Sequence, residues 1–168
     1  MNEYELIKKS KHGDKKAFCD LYDLYKDRLY RYAYYRLRNS EDAEDAVSEC
    51  VMLAWKQIGA LRDACAFQSW IFKILAASCN KYIKAQIAKR DVVSIDGLPV
   101  GSASNISDST LLLREALDKL SEEEQSIVLL STVGGLKSRE IAEITGLTAG
   151  SVRSSLSRSL KKMREYLE

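Results

Sequence analysis

The chain has 168 residues, 46% of them apolar, and its 26 basic and 24 acidic side chains leave a formal net charge of +2. This length allows one domain or two small ones with real hydrophobic cores. No stretch approaches the ~20 apolar residues of a membrane span and no apolar signal segment opens the sequence, which excludes direct membrane insertion and predicts a cytoplasmic protein.

The first 90 residues have helical periodicity throughout. Apolar side chains recur every three or four positions from Phe18 to Ala33, and Asn39-Ser40 separates this helix from the next. The tyrosines between Tyr22 and Tyr35 alternate with Lys and Arg, a pattern that can stack bases and neutralise phosphates. At helical spacing, we interpret most of these rings as half-buried core.

The helix after Ser40 concentrates acidic residues between Asp42 and Glu49. Asp42, Asp45 and Glu49 fall on one side, where like charges repel one another by about 0.2–0.5 kcal/mol a pair. The helix dipole offsets part of this cost at the helix start, but it does not reach Glu49. Because the sequence shows no internal partner for Asp45 or Glu49, we predict that this face meets a basic partner.

A loop from Gly59 to Ala66 precedes a helix that is rich in aromatic and basic residues. Its aromatic neighbours, Trp55, Phe67, Trp70 and Phe72, could wall a pocket, although we interpret both tryptophans as core. The same helix carries five cations: Lys73, Lys81, Lys84, Lys89 and Arg90. This basic face could hold a nucleic-acid strand beside the loop.

The composition of the chain indicates one linker between two domains. From Asp91 to Leu113 there are three Asp, no Lys or Arg, and the only Pro, a composition that predicts a flexible linker at 91–112. The expected fold is all-α, with two small helical domains, 1–90 and 113–168, on either side of that linker.

The C-terminal domain has the helix boundaries of a helix-turn-helix. Ser121 and Glu124 form a capping box at the start of its first helix, and Gly134-Gly135 ends that helix. After a second helix, Gly146 can adopt the left-handed conformation of a tight turn. Thr148 is the expected N-cap of the third helix.

The third helix has two different sides. Apolar residues recur on one of them: Val152, Leu156, Leu160, Met163 and Leu167. The other side carries small and basic residues, namely Gly150, Ser154, Arg158 and Lys161. Short side chains let a helix backbone approach the major groove of DNA, where Arg pairs with guanine. The alternative is a solvated basic face on a three-helix bundle.

The sequence indicates no catalytic or metal chemistry. It has no nucleophile–base pair, no phosphate-cradling glycine loop and no metal-ligand cluster, so we expect neither an enzyme, nor a cofactor, nor a small-molecule substrate. The four cysteines, Cys19, Cys50, Cys65 and Cys79, are widely spaced, and His12 is the only histidine. We predict that the cysteines are buried as small apolar side chains, with redox sensing as the alternative.

Taken in order, these blocks resemble an extracytoplasmic-function (ECF) sigma factor of bacterial RNA polymerase. They are the acidic block 42–49 followed by Ala54-Trp55, the block 67–74, a spacer and the C-terminal helix-turn-helix. The order and spacing of the blocks carry the resemblance, which covers nearly the whole chain. It implies a non-enzymatic subunit that binds core RNA polymerase, recognises the minus-ten and minus-thirty-five promoter elements and directs transcription initiation. It also implies an anti-sigma factor as a second partner.

The resemblance implies three sites. The acidic helix would dock on the clamp helices of the largest polymerase subunit through Asp42, Asp45 and Glu49. A base flipped from the minus-ten DNA would be captured by the loop and the helix after it, through Leu61, Arg62, Asp63, Ala64, Phe67, Ser69, Lys73, Lys81 and Lys84. The minus-thirty-five DNA would be read by Thr148, Ser151, Arg153, Ser154, Ser157, Arg158 and Lys161.

The chain departs from the common pattern of that family at three positions. Ala77 stands where Asn is frequent, Lys81 where Asp is frequent and Ser155 where Arg is common, which leaves the minus-ten preference open and removes one possible minus-thirty-five contact. Two other functions remain. One is a helix-turn-helix transcriptional regulator that is not a polymerase subunit, and the other is a sigma-derived module that sequesters a protein partner without binding DNA.

Overall fold

The computed structural model describes residues 1–92 and 107–168, and the ordered elements within these ranges are all helical. The chain divides into two units, residues 1–85 and 86–168. The predicted all-α fold is therefore confirmed. Most of the predicted linker, residues 93–106, lies outside the described residues.

The N-terminal unit is built from three helices and most of a fourth, joined by short connections. They are α1 (Glu3–Lys11), α2 (Lys15–Leu37), α3 (Ser40–Gln57) and α4 (Phe67–Val92), with 3₁₀ turns at Ile58–Ala60 and Ala64–Ala66. The side chains of Asn2, Asp14 and Asn39 cap α1, α2 and α3 by accepting backbone N–H groups. Between α2 and α3 the chain reverses at Arg38, whose φ of 59° places it in the left-handed region.

The core of this unit is aromatic. Tyr25 packs edge-on against Phe67 with ring centroids 5.1 Å apart, and Tyr32 meets Phe72 in the same way at 6.0 Å. The Arg28 guanidinium lies 4.7 Å from the centre of the Tyr25 ring. The other tyrosines of α2 are half-buried, which confirms that the tyrosine row belongs to the core and its edge.

The C-terminal unit contains α5 (Asp108–Asp118), α6 (Glu122–Thr132), α7 (Ser138–Thr145) and α8 (Ala149–Leu167). Ile127, Leu130, Ile141 and Val152 are fully buried where α6, α7 and α8 meet. The predicted end of the linker at residue 112 is wrong, because α5 starts at Asp108. Ser107 caps it by accepting the Thr110 N–H at 3.2 Å.

The predicted helix-turn-helix boundaries are confirmed. The capping box of Ser121 and Glu124 forms in both directions, Gly146 takes a φ of 80°, and Thr148 accepts the Ser151 N–H at 3.1 Å. The apolar stripe of α8 ends earlier than predicted, since Leu167 is 47% exposed. The fully buried residue on the distal half of this helix is Ser159 instead.

In the described part of the chain, no helix combines the length and the apolar character that crossing a membrane requires. No group of three or more His, Cys, Asp or Glu side chains there is arranged to hold a metal ion.

Candidate functional sites

Three of the five acidic residues of α3 face α4. Asn39 accepts the Asp42 N–H at 3.0 Å, which fixes the first turn of α3, and Asp42, Asp45 and Glu49 then follow along one side. Burial and these three carboxylates raise the pKa of Tyr82 on α4, so all of them lie near the seam between the two helices. We call Asp42, Asp45 and Glu49 the acidic face.

One expectation for the acidic face is wrong. Glu49 has an internal partner, because Lys81 of α4 donates a hydrogen bond and forms an ion pair with its carboxylate. This hydrogen bond raises the pKa of the Lys81 ammonium. The Asp45 side chain forms no hydrogen bond or ion pair within the described residues, as predicted.

A groove of about 520 Å³ runs along the seam of α3 and α4. Its lining combines apolar and charged side chains, namely Glu49, Leu53, Gln57, Trp70, Lys73, Ile74, Ala77, Ser78 and Lys81. Trp70 is half-buried and lines this groove, so it is less enclosed than the core position we predicted. Trp55 is also half-buried and packs on Phe18, with ring centroids 5.1 Å apart.

Buried side chains anchor the loop before α4 in the core. Leu61 and Phe67 are 6% and 1% exposed, so they support the loop and do not face solvent. Arg62 and Asp63 are exposed, and the Asp63 carboxylate accepts the Cys65 N–H at 2.9 Å. Of the residues assigned to this loop, Arg62 and Asp63 are therefore the best placed to meet a ligand.

Three basic residues of α4 share one face. Lys73, Ala77, Lys81 and Lys84 recur at intervals of three and four positions, and all four are exposed. Lys73 and Lys84 form no ion pair within the described residues. Of the three lysines predicted to bind the minus-ten DNA, two are thus available, and the third, Lys81, is engaged with Glu49.

The outer side of α8 is exposed from its start. All seven residues that the sequence assigned to it are exposed: Thr148, Ser151, Arg153, Ser154, Ser157, Arg158 and Lys161. Val152 and Ser159 are buried on the opposite side. The arrangement presents short and cationic side chains together at the first half of a helix, as a major groove requires.

The Glu124 carboxylate, which the sequence predicts only as part of a capping box, also connects α8 to α6. Glu124 accepts the Ser121 N–H at 3.0 Å, the buried Ser159 hydroxyl at 3.1 Å and the Lys162 ammonium at 3.2 Å. The backbone hydrogen bond from Ser121 contributes most to lowering the pKa of Glu124 to about 2. Lys162 is therefore committed to a structural contact, whereas Lys161 beside it is exposed.

The cysteines fall into two classes, which corrects the prediction that all four are buried. Cys50 and Cys79 are buried, and burial raises the pKa of each thiol to about 12. Cys19 and Cys65 are exposed. No thiolate character is expected at the buried pair near neutral pH.

Two family models match the chain, and between them they cover most of it. Residues 21–87 match sigma-70 region 2, and residues 110–163 match sigma-70, region 4. The chain is 34% identical over 145 residues to the RNA polymerase sigma factor SigV of Bacillus subtilis, a match that covers 85% of this chain and 86% of that protein. It is 27% identical over 177 residues to the ECF RNA polymerase sigma factor SigW of the same organism, covering 96% and 94%.

Two solved structures have a similar fold. One is CnrH in complex with the cytosolic domain of CnrY, with a TM-score of 0.76, 19% identity and coverage of 98% of this chain and 96% of that one. The other is RpoE of Bartonella quintana in complex with the anti-sigma factor NepR, with a TM-score of 0.74, 23% identity and coverage of 90% and 97%.

Proposed function

This chain belongs to the extracytoplasmic-function sigma factors of bacterial RNA polymerase, and from this membership we propose how its residues divide the work. It is a promoter-recognising subunit of the polymerase. The residue-level proposal rests on the observation that an acidic face, a basic side and a row of short and cationic side chains lie on three separate helices, α3, α4 and α8, and that solvent reaches each of them. Each face suits a different partner.

The acidic face of α3 docks on the polymerase. Asp45 is exposed and has no counter-ion within the described residues, and Asp42 and Glu49 lie on the same side. A carboxylate row of this kind complements a basic protein surface and speeds association with it. The clamp helices of the largest subunit are the proposed site.

The loop and the basic side of α4 bind the minus-ten element. Unstacking a base from the duplex costs a few kcal/mol, and the exposed Arg62, Lys73 and Lys84 offset part of this cost through phosphate contacts. Ser69 and Ala64 border the loop, while Leu61 and Phe67 hold it in place from the core. Lys81 contacts the DNA only when its ammonium is not bound to Glu49.

The first half of α8 reads the minus-thirty-five element as duplex DNA. Arg153 and Arg158 are exposed and can form paired hydrogen bonds to guanine edges. The short side chains of Ser151, Ser154 and Ser157 let the backbone approach the bases. Thr148 and Lys161 lie at the two ends of this surface, where phosphates are the expected contacts.

The chain acts without catalysis of its own, since bond formation belongs to the polymerase. Because its partners are polymerase and promoter DNA, we place it in the bacterial cytoplasm. An anti-sigma factor is a further proposed partner. The similar fold of RpoE, which was solved with an anti-sigma factor bound, supports this proposal.

The test is to ask whether the purified full chain co-elutes with bacterial core RNA polymerase and starts transcripts at discrete sites on genomic DNA. Discrete starts are the expected result, and they reveal both promoter elements at once. Polymerase binding without initiation would instead favour a sequestering module. DNA binding without polymerase would favour a simple regulator.

A further inference from the structure

An ion pair crosses the seam between the acidic face of α3 and the basic side of α4. The Lys81 ammonium donates to one oxygen of the Glu49 carboxylate, although the two residues are 32 positions apart. The Lys81 side chain is 65% exposed and that of Glu49 is 32% exposed. The pair is thus open to solvent, and an incoming partner can reach either member.

The pair changes the charge that the acidic face presents. Asp45 and Glu49 are one helical turn apart, so a basic partner would find two adjacent carboxylates if both were free. Lys81 neutralises one of them. A partner cation must therefore displace the Lys81 ammonium from Glu49 or accept a second cation close beside it.

We propose that Lys81 is an internal competitor for Glu49 and thereby attenuates the docking of core polymerase on the acidic face. The inference rests on the proposed function, in which that face binds the polymerase. Solvent-exposed ion pairs of this kind contribute little net free energy. We therefore expect the competition to lower the affinity by no more than about fivefold.

Lys84 provides a matched control. It lies one turn beyond Lys81 on the same helix, is exposed and has no ion pair within the described residues. Neutralising Lys84 removes the same unit of charge without releasing a carboxylate. The difference in polymerase affinity between the two lysine variants therefore separates the effect of the ion pair from the effect of the overall positive charge of α4.

The experiment measures the affinity of the full chain for core RNA polymerase in the absence of DNA, so that the DNA contacts proposed for Lys81 and Lys84 do not enter. The variants are Lys81→Gln, Lys84→Gln, Glu49→Gln and the double variant Glu49→Gln/Lys81→Gln. We expect Lys81→Gln to bind up to about five times more tightly than the unmodified chain, with a gain that shrinks as salt is added. Lys84→Gln should stay close to the unmodified chain. In the Glu49→Gln background, Lys81→Gln should give no further gain.

Three outcomes would overturn the inference. Equal gains for Lys81→Gln and Lys84→Gln would show that only the long-range field matters, and a gain that persists without Glu49 would do the same. A weaker affinity of Lys81→Gln would show that the lysine supports Glu49 instead. Failure of the proposed function is distinguishable, because Asp45→Lys and Glu49→Lys would then leave polymerase binding unchanged, whatever Lys81 does.

Discussion

Replacing Glu124 by Gln should destabilise the C-terminal unit without disturbing the N-terminal one. The change keeps the size of the side chain but removes the charge that attracts the Ser121 N–H, the Ser159 hydroxyl and the Lys162 ammonium. The pKa of Glu124 falls from 4.5 to about 2 in the folded chain. At ~1.36 kcal/mol for each pKa unit, this shift sets an upper bound of about 3 kcal/mol on the stabilisation.

The side chain is 20% exposed, so water and salt weaken these contacts, and we expect a loss of about 1.5–2 kcal/mol at pH 7. The sign of the pH dependence follows from the lowered pKa. The stabilisation is fully present above the ordinary value of 4.5 and disappears as the pH falls through about 2. The gap between the unmodified chain and Glu124→Gln should therefore close over that range.

Urea unfolding of the full chain measures this effect with two signals. Both tryptophans, Trp55 and Trp70, belong to the N-terminal unit, so their fluorescence follows that unit, while circular dichroism follows the helices of both units. Glu123→Gln is the matched control, because it removes a charge from the same first turn and costs only a few tenths of a kcal/mol. Equal losses for the two variants, or a Glu124→Gln loss that stays constant down to pH 2, would refute the reasoning.

Three more predictions concern the other faces of the chain. Asp45→Lys should weaken the binding of core polymerase by at least about tenfold, since it sets a like charge against a basic surface, whereas Glu41→Lys in the first turn of the same helix should have less effect in the same binding assay. Alanine at Arg153 or Arg158 should cost about 1–3 kcal/mol of promoter affinity if the side chain reads a base, and competition with altered promoter sequences separates this from a phosphate contact, whose loss is uniform. Iodoacetamide should label the two exposed cysteines of the folded chain at neutral pH and the two buried ones only in denaturant, as mass spectrometry can show; labelling of all four in the folded chain would contradict the burial.

The parts of the fold that local chemistry determines were predictable. Ser121 with Glu124, Gly146 and Thr148 each act on backbone groups within a few residues of themselves, so their pattern is visible in the sequence. The exposed side of α8 followed from the same helical spacing. The exposed polar residues of the proposed sites could be predicted for this reason, whereas the partners proposed for them come from the resemblance to the family.

The contacts that the sequence does not predict join residues far apart in the chain. The Lys81–Glu49 pair and the Ser159–Glu124 hydrogen bond join positions 32 and 35 residues apart, and no local pattern indicates such pairings. The start of α5 was missed for a different reason. A segment without basic residues predicts a linker by its composition, although Ser107 has the chemistry of an N-cap.

The contacts of α8 divide this helix into two halves with different tasks. Ser159, Lys162 and Tyr166 fasten its distal half to α6 and α5, whereas the exposed residues from Ser151 to Arg158 lie before that attachment. Substitutions at these exposed positions, unlike one at the buried Val152, therefore carry no large cost in stability. Under the proposed function, promoter preference can drift in this chain through single mutations that selection against unfolding does not remove.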